Sequence, residues 1–401
     1  MIIIYQLLFV FLITFNIWGN FVPGANYYDE LITICAIILM MVRSNRLYIK
    51  KYEKKIIYSL LAVWAIGILA TVKYHIQPQF AGVWRDMLAI SKFPICYYAF
   101  YTRTPDIKAS KICKSIVPIS KLLISIILFF GFVNLFLHIP FLSGGERYGL
   151  PIYRFLYSHE TFLVSSLICL IAVLIAHNSR KNILYILGGM VAVAMTLKSK
   201  PILVLLFIVA SLFLRSRHKF RVTKFQMALM AVVVGVLTLY LASGQLNTYI
   251  GFGETAARGA FYLYGVDVAI RFFPLGSGFC TFASSLSHKY YSPLYYEYGM
   301  ENINGITEDD GSYAGDTFWP NIYAQYGFLG FFIYLFLFIC ILKSITRRFF
   351  QFSNGWIASM SILLYGLTAS FAESFFTNDS SVVFAVVLAI YIGNDDNNRK
   401  K

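Results

Sequence analysis

Apolar stretches of membrane-crossing length recur along this chain with only short polar interruptions, and no other feature limits its fold so strongly. The runs lie near 2–18, 26–42, 56–72, 84–101, 119–139, 159–176, 183–197, 201–214, 226–243, 320–342, 355–372 and 380–393. One crossing of a bilayer takes about 20 apolar residues, so twelve would use about 240 of the 401 residues. Composition agrees: 58% of residues are hydrophobic and 13% charged, where a water-soluble domain carries about 25% charge. An ordinary soluble enzyme is excluded. The expected fold is an all-α polytopic membrane protein of about twelve transmembrane helices, a single integral membrane domain over 1–401.

The formal charge of +15 would suggest nucleic acid in a soluble chain, but its distribution points elsewhere. With both termini placed in the cytoplasm, the segments 43–55, 102–121, 177–182, 215–224, 343–350 and the tail hold 24 of the 34 Lys and Arg residues, and the opposite segments hold nine. That asymmetry is the positive-inside pattern and leaves no role for nucleic acid. By the same topology 244–319 is one large extracytoplasmic loop, whose Gly and Pro punctuation suggests short helices and turns rather than a separate domain. The start, Met1-Ile-Ile-Ile, lacks a basic n-region and a cleavage motif and reads as a retained span. Six scattered Cys and six scattered His residues give neither a disulfide framework nor a metal site.

Charges inside or beside apolar runs need a reason. Lys92 lies seven residues after Arg85 on one helix face, about 10 Å deeper, where a basic residue costs about 2.5–3.5 kcal/mol. It must face protein or a water-filled cavity, or pair with a carboxylate; for Arg85 an ion pair with its neighbour Asp86 is an equal alternative. In Ser143-Gly-Gly-Glu146-Arg147-Tyr-Gly-Leu-Pro151-Ile-Tyr-Arg154, two guanidinium groups flank glycines above a span. Arginine grips phosphate oxygens bidentately and stays charged, so a bound anion is one reading, and lipid head-group contact or a salt bridge to Glu146 or Glu160 the other. Lys198-Ser-Lys200-Pro201 puts two lysines against the prevailing charge bias, which suits either a local anion or a snorkelling turn. Arg258 and Arg271 bracket an aromatic stretch that suits an interfacial helix. Pro274-Leu-Gly276-Ser-Gly278 reads as a tight turn or a close backbone approach to phosphate. Glu308-Asp309-Asp310-Gly311 reads as a solvated turn or a cation site. Tyr290, Tyr291, Tyr295 and Tyr296 offer faces for sugar stacking or for a membrane-interface belt.

Taken in order, these segments resemble the bacterial O-antigen polymerase and O-antigen ligase superfamily over roughly 140–345. Arg147 to Pro151 is similar to that family's Arg-containing loop before a span. Ser199-Lys200-Pro201 resembles its Ser-Arg pair, with Lys replacing Arg. Arg258 through Pro274-Leu-Gly276-Ser-Gly278-Phe-Cys-Thr-Phe282 resembles the opening of its large loop. Asp316-Thr-Phe-Trp-Pro-Asn321-Ile-Tyr-Ala-Gln325-Tyr-Gly327-Phe-Leu-Gly330 resembles the closing element. Ligases carry a His in that last element, and this chain has Asp316, which favours the polymerase branch.

The resemblance implies joining of oligosaccharide repeat units on undecaprenyl pyrophosphate, to make O-antigen or capsule, at the outer face of the cytoplasmic membrane. It also implies a chain-length regulator and a flippase as partners. Breaking a glycosyl bond to pyrophosphate builds negative charge on the leaving group, which prepositioned cations stabilise; Arg147, Arg154, Arg258 and Lys200, with Arg85, are the candidates. Asp316 is the first choice to accept the acceptor's proton, with Glu160 and Glu146 behind it. The lipid pyrophosphate stores the leaving-group energy, so the scheme requires no cofactor and no metal. The alternatives are a ligase with another acceptor, or a lipid-linked oligosaccharide flippase.

Overall fold

The computed structural model describes residues 2–19, 22, 24, 27–41, 51–216 and 256–392. The run expected at 226–243, most of the segment 43–55, the start of the loop 244–319 and the C-terminal tail lie outside the described residues. The described chain is mainly helical, and its helices follow the apolar runs: α1 Ile2–Gly19, α2 Tyr28–Met41, α3 Lys51–Tyr74, α4 Phe80–Ala89, α5 Lys92–Arg103, α6 Asp106–Leu137, then α7 Glu160–Asn178, α8 Ile183–Ala194 and α9 Lys200–Ser216. After the undescribed stretch come α10 Ala257–Arg271, the short α11 Ser285–Lys289 and α12 Pro293–Glu297, then α13 Trp319–Arg348, α14 Asn354–Ala369 and α15 Asp379–Val386. Among the described residues five helices are long and apolar enough to cross a membrane, α1, α3, α6, α7 and α13. Ile3, Leu7, Leu31, Phe129, Phe136, Leu184 and Phe332 stand more than half exposed, which suits contact with lipid rather than water.

Packing centres on α7. Every residue from Leu163 to Ala176 is buried, so this helix is apolar all round because it has no outward face. It contacts α1, α6, α8, α14 and α15, while α3 lies along α13 and α13 along α10.

Three expectations change. The run 84–101 is not one helix: it breaks at Ile90–Ser91 into α4 and α5. Pro94 has no N–H, so the Ile90 carbonyl loses its helical donor; the Tyr334 hydroxyl donates to it at 2.8 Å instead, and Trp64 Nε1 donates to Ser91 Oγ at 2.8 Å. The lysine-bearing stretch 106–118, expected between spans, is instead the first part of α6, which carries Pro118 within it. The glycine-rich stretch after α6 is not a loop but an antiparallel hairpin, β1 Ser143–Arg147 and β2 Leu150–Tyr153, with Arg147 opposite Leu150. Its two turn residues, Tyr148 and Gly149, both have positive φ, the conformation that lets a two-residue turn follow the strands' twist.

Candidate active site

The hairpin is fastened to the bundle at its base. Tyr153 N–H donates to Met195 O at 3.2 Å, its hydroxyl donates to Ile127 O at 2.6 Å, and the Tyr157 hydroxyl donates to Ile13 O at 2.7 Å. This anchorage aims both arginines at neighbouring main chain: Arg147 donates to Leu197 O at 3.0 Å and Arg154 to Ser158 O at 3.2 Å. Neither arginine pairs with Glu146 or Glu160 as the salt-bridge reading expected. Arg154 Nε is buried and meets no acceptor, leaving a charged donor unsatisfied.

Glu160 opens α7, where the helix dipole favours a carboxylate, and Lys198 approaches it at 2.7 Å with His159 Nε2 at 3.5 Å. Lys200 opens α9, and there the same dipole opposes an ammonium by about 0.3–1 kcal/mol. Local helix energetics do not explain a lysine at that position. Its partners come from the turn after α14: Glu373 Oε1 at 2.6 Å and Ala372 O at 3.3 Å.

That turn also reaches α10 and the residues leading into α13. Tyr262 donates to Phe371 O at 2.7 Å, Phe318 N–H to Ser370 O at 3.3 Å, and Ser374 N–H to Gly315 O at 3.1 Å. Next to Gly315, Asp316 Oδ2 accepts from Arg258 Nη2 at 2.6 Å and Nε at 3.1 Å. Burial raises the Asp316 carboxyl above the usual aspartate range, the Arg258 and Lys200 charges oppose that shift, and Glu373 reinforces it. Lys200 and Glu373 are therefore electrostatic neighbours of the Arg258–Asp316 pair.

Segments far apart in sequence thus bring Lys200, Arg258, Asp316 and Glu373 into one electrostatic neighbourhood, which Lys198 and Glu160 join through His159, while Arg147 and Arg154 reach the main chain at Leu197 and Ser158 beside them. The cations outnumber the carboxylates by two, and two of them engage carbonyls rather than carboxylates. Chemically, the group can receive a polyanion and keeps carboxylates beside it for a proton. Glu373 was not anticipated. A single acid in the short turn 370–378 matches no motif, and its only sequence signal is an isolated charge between two apolar runs.

Other expected residues sit elsewhere. Glu146 is exposed and, among the described residues, makes no ion pair. Arg85 likewise makes none, and its neighbour Asp86 does not hold it: the buried Asp86 Oδ2 accepts from Cys280 N–H at 2.9 Å. Tyr295 is fully buried, with its hydroxyl 2.7 Å from Ser287 Oγ and accepting from Ala283 N–H at 3.1 Å; a sugar has no access to it, so its expected glycan role is corrected to a core role. Tyr290 packs against Gly82. Tyr291 donates to Ile306 O at 3.1 Å, and the exposed Tyr296 donates to Glu308 at 2.6 Å. Arg271 pairs with Glu297.

In the Pro274-Leu-Gly276-Ser-Gly278 element the backbone donors of Gly276, Ser277 and Gly278 are spent inside the protein rather than offered to phosphate. Helix α13 breaks at Gly327, φ 61° and ψ −179°, and the carbonyls released there accept from this element: Ser277 N–H donates to Ala324 O and Gly278 N–H to Gln325 O, both at 2.9 Å. A Cβ on Gly276 would stand 2.2 Å from Gly327 N, so the glycines exist for backbone-to-backbone contact. The element is a clasp that sets the approach of α13, and with it Asp316.

No protein-family model matches the chain, and no curated protein matches it either.

Proposed function

We propose that the protein is a membrane glycosyltransferase that joins oligosaccharide repeat units carried on undecaprenyl pyrophosphate into O-antigen or capsular polysaccharide. In this reading it crosses a bacterial cytoplasmic membrane about twelve times with both termini inside, and 244–319 forms the large loop on the extracytoplasmic face, where the site lies. One observation carries the reading: the pairs Lys198–Glu160, Lys200–Glu373 and Arg258–Asp316 join separate segments, the last two within electrostatic reach of each other, and a buried guanidinium donor of Arg154 is left without an acceptor.

Arg147, Arg154, Arg258 and Lys200 meet the pyrophosphate of the donor. The acceptor hydroxyl oxygen attacks the anomeric carbon, the bond from that carbon to the pyrophosphate oxygen breaks, and the electron pair leaves with the carrier, where fixed cations stabilise it most. The hydroxyl proton passes to a carboxylate. Asp316 serves best, because burial raises its affinity for a proton even beside Arg258; Glu160, paired with Lys198, and the exposed Glu146 stand behind it. The scheme uses no nucleotide and no metal. Tyr296, and the exposed parts of Tyr290 and Tyr291, are the remaining surfaces for the glycan.

Deleting the gene and restoring it as wild type, R147A, R154A or R258A tests the reading, with membrane expression checked and surface glycan resolved on a gel. Single-repeat product from the deletion and from R258A is expected. Undiminished long chains from R258A would remove the clamp.

A further inference from the structure

Away from that site, three carboxylates and one ammonium meet where α2, α5 and α15 begin. Lys92 Nζ donates to Asp29 Oδ2 and, at 3.1 Å, to Glu30 Oε1. Asp379 brings its carboxyl within hydrogen-bonding reach of Asp29 and close to Lys92 and Glu30, and the Tyr28 hydroxyl donates to its main-chain oxygen at 3.1 Å. Asp29 is 1% exposed and Lys92 5%; Glu30, with 31% of its side chain exposed, and the half-buried Asp379 face outward from the cluster. The other titratable groups here, Tyr28 and Cys35 on α2 and Cys96 on α5, bring no positive charge. Fully ionised, the set would hold three negative charges against one positive.

A carboxylate accepts hydrogen bonds and donates none. Asp29 Oδ1 and Glu30 Oε2 are buried and meet no donor, although the carboxyls of Asp379 and Glu30 lie beside Asp29. Two of the three Lys92 donors go to the opposite oxygens of Asp29 and Glu30. Two adjoining carboxylates without a donor between them repel, and one proton held in common resolves that repulsion. We propose that this cluster is a proton-binding site, with one proton held between Asp29 and Asp379 at neutral pH and exchanged through Glu30. The site stands independently of the reaction proposed above.

The bound proton ties the starts of three helices together, and its loss leaves them repelling. A proton kept by the folded protein and released on unfolding makes stability fall as pH rises through the site's affinity, by up to about tenfold in the folding equilibrium constant per pH unit.

The test is the unfolding midpoint of the purified, detergent-solubilised full chain between about pH 5 and pH 9, in choline chloride and in sodium chloride, for wild type, D379N and D379E. Wild type and D379E should lose stability toward high pH, while D379N, whose amide donates permanently in the proton's place, should be flatter. An infrared protonated-carboxyl C=O band that persists at neutral pH in wild type and disappears in D29N is the second readout, valid even where D379N folds poorly. A D379N profile parallel to wild type together with no such band would overturn the site. Stabilisation by sodium alone, abolished in D379N, would also overturn it by showing a metal cation in the proton's place.

Discussion

Cutting the Arg258–Asp316 pair from each side, and from both, measures whether the two side chains act as one unit. The two donors of Arg258 converge on a single oxygen at 2.6 and 3.1 Å, and the side chains remain 24% and 27% exposed. Fully buried pairs lose about 3–5 kcal/mol when one partner goes, and exposed pairs contribute about 0.2–1 kcal/mol. Partial exposure discounts the buried figure, so a coupling of about 2 kcal/mol follows. R258A strands a carboxyl that burial already pushes toward its neutral form, and D316N strands a guanidinium. Each single variant should therefore cost more than its share, and R258A/D316N should be less destabilised than the sum of the singles by about 2 kcal/mol. Equilibrium unfolding in mixed micelles reads all four proteins. A coupling under about 0.5 kcal/mol would mean that solvent screens the pair, and the argument that Arg258 holds Asp316 in place would fail.

The clasp predicts that G276A, which puts a Cβ 2.2 Å from Gly327 N at a residue of φ +78°, destabilises by at least about 3 kcal/mol, read as a loss of folded protein in thermal unfolding; wild-type stability would refute the close approach. Y295F removes the hydroxyl bonded to Ser287 and Ala283 and should cost about 1–2 kcal/mol without changing glycan affinity by titration, whereas a loss of glycan affinity would return Tyr295 to the sugar-contacting set. Because Asp316 is raised by burial, polymer formation should fail on acidification at a higher pH than an ordinary aspartate would allow. The same shift makes this group's contribution to stability larger at low pH and lost as pH rises through its folded pKa. A rate that stays constant down to the ordinary aspartate range would exclude Asp316 as the base.

Hydropathy made most helices legible, because an apolar run of that length has few alternatives. The exceptional charges were legible too: Arg147, Arg154, Lys200, Arg258, Glu160 and Asp316 stood out against their surroundings, and the fold places Lys200, Arg258 and Asp316 in one electrostatic neighbourhood. What pairs with what was not legible, since pairing is decided by the packing of distant segments. Arg147 took the Leu197 carbonyl rather than a nearby acid, and Lys200 took Glu373, which lies 173 residues away. The break between α4 and α5 was announced by Pro94, yet an apolar run hides it until the Ile90 carbonyl is traced to Tyr334. The glycine element read as a tight turn or as a close backbone approach to phosphate, whereas its backbone meets the helix break at Gly327.

The most direct test of the account supplies purified protein in lipid nanodiscs with undecaprenyl-pyrophosphate-linked repeat units and follows chain length. Wild type should build glycan of more than one repeat while releasing the carrier pyrophosphate, and D316N and R258A should bind to the membrane normally and build none. Wild-type protein that leaves the repeat units unjoined, or that moves them across the bilayer intact, would contradict it.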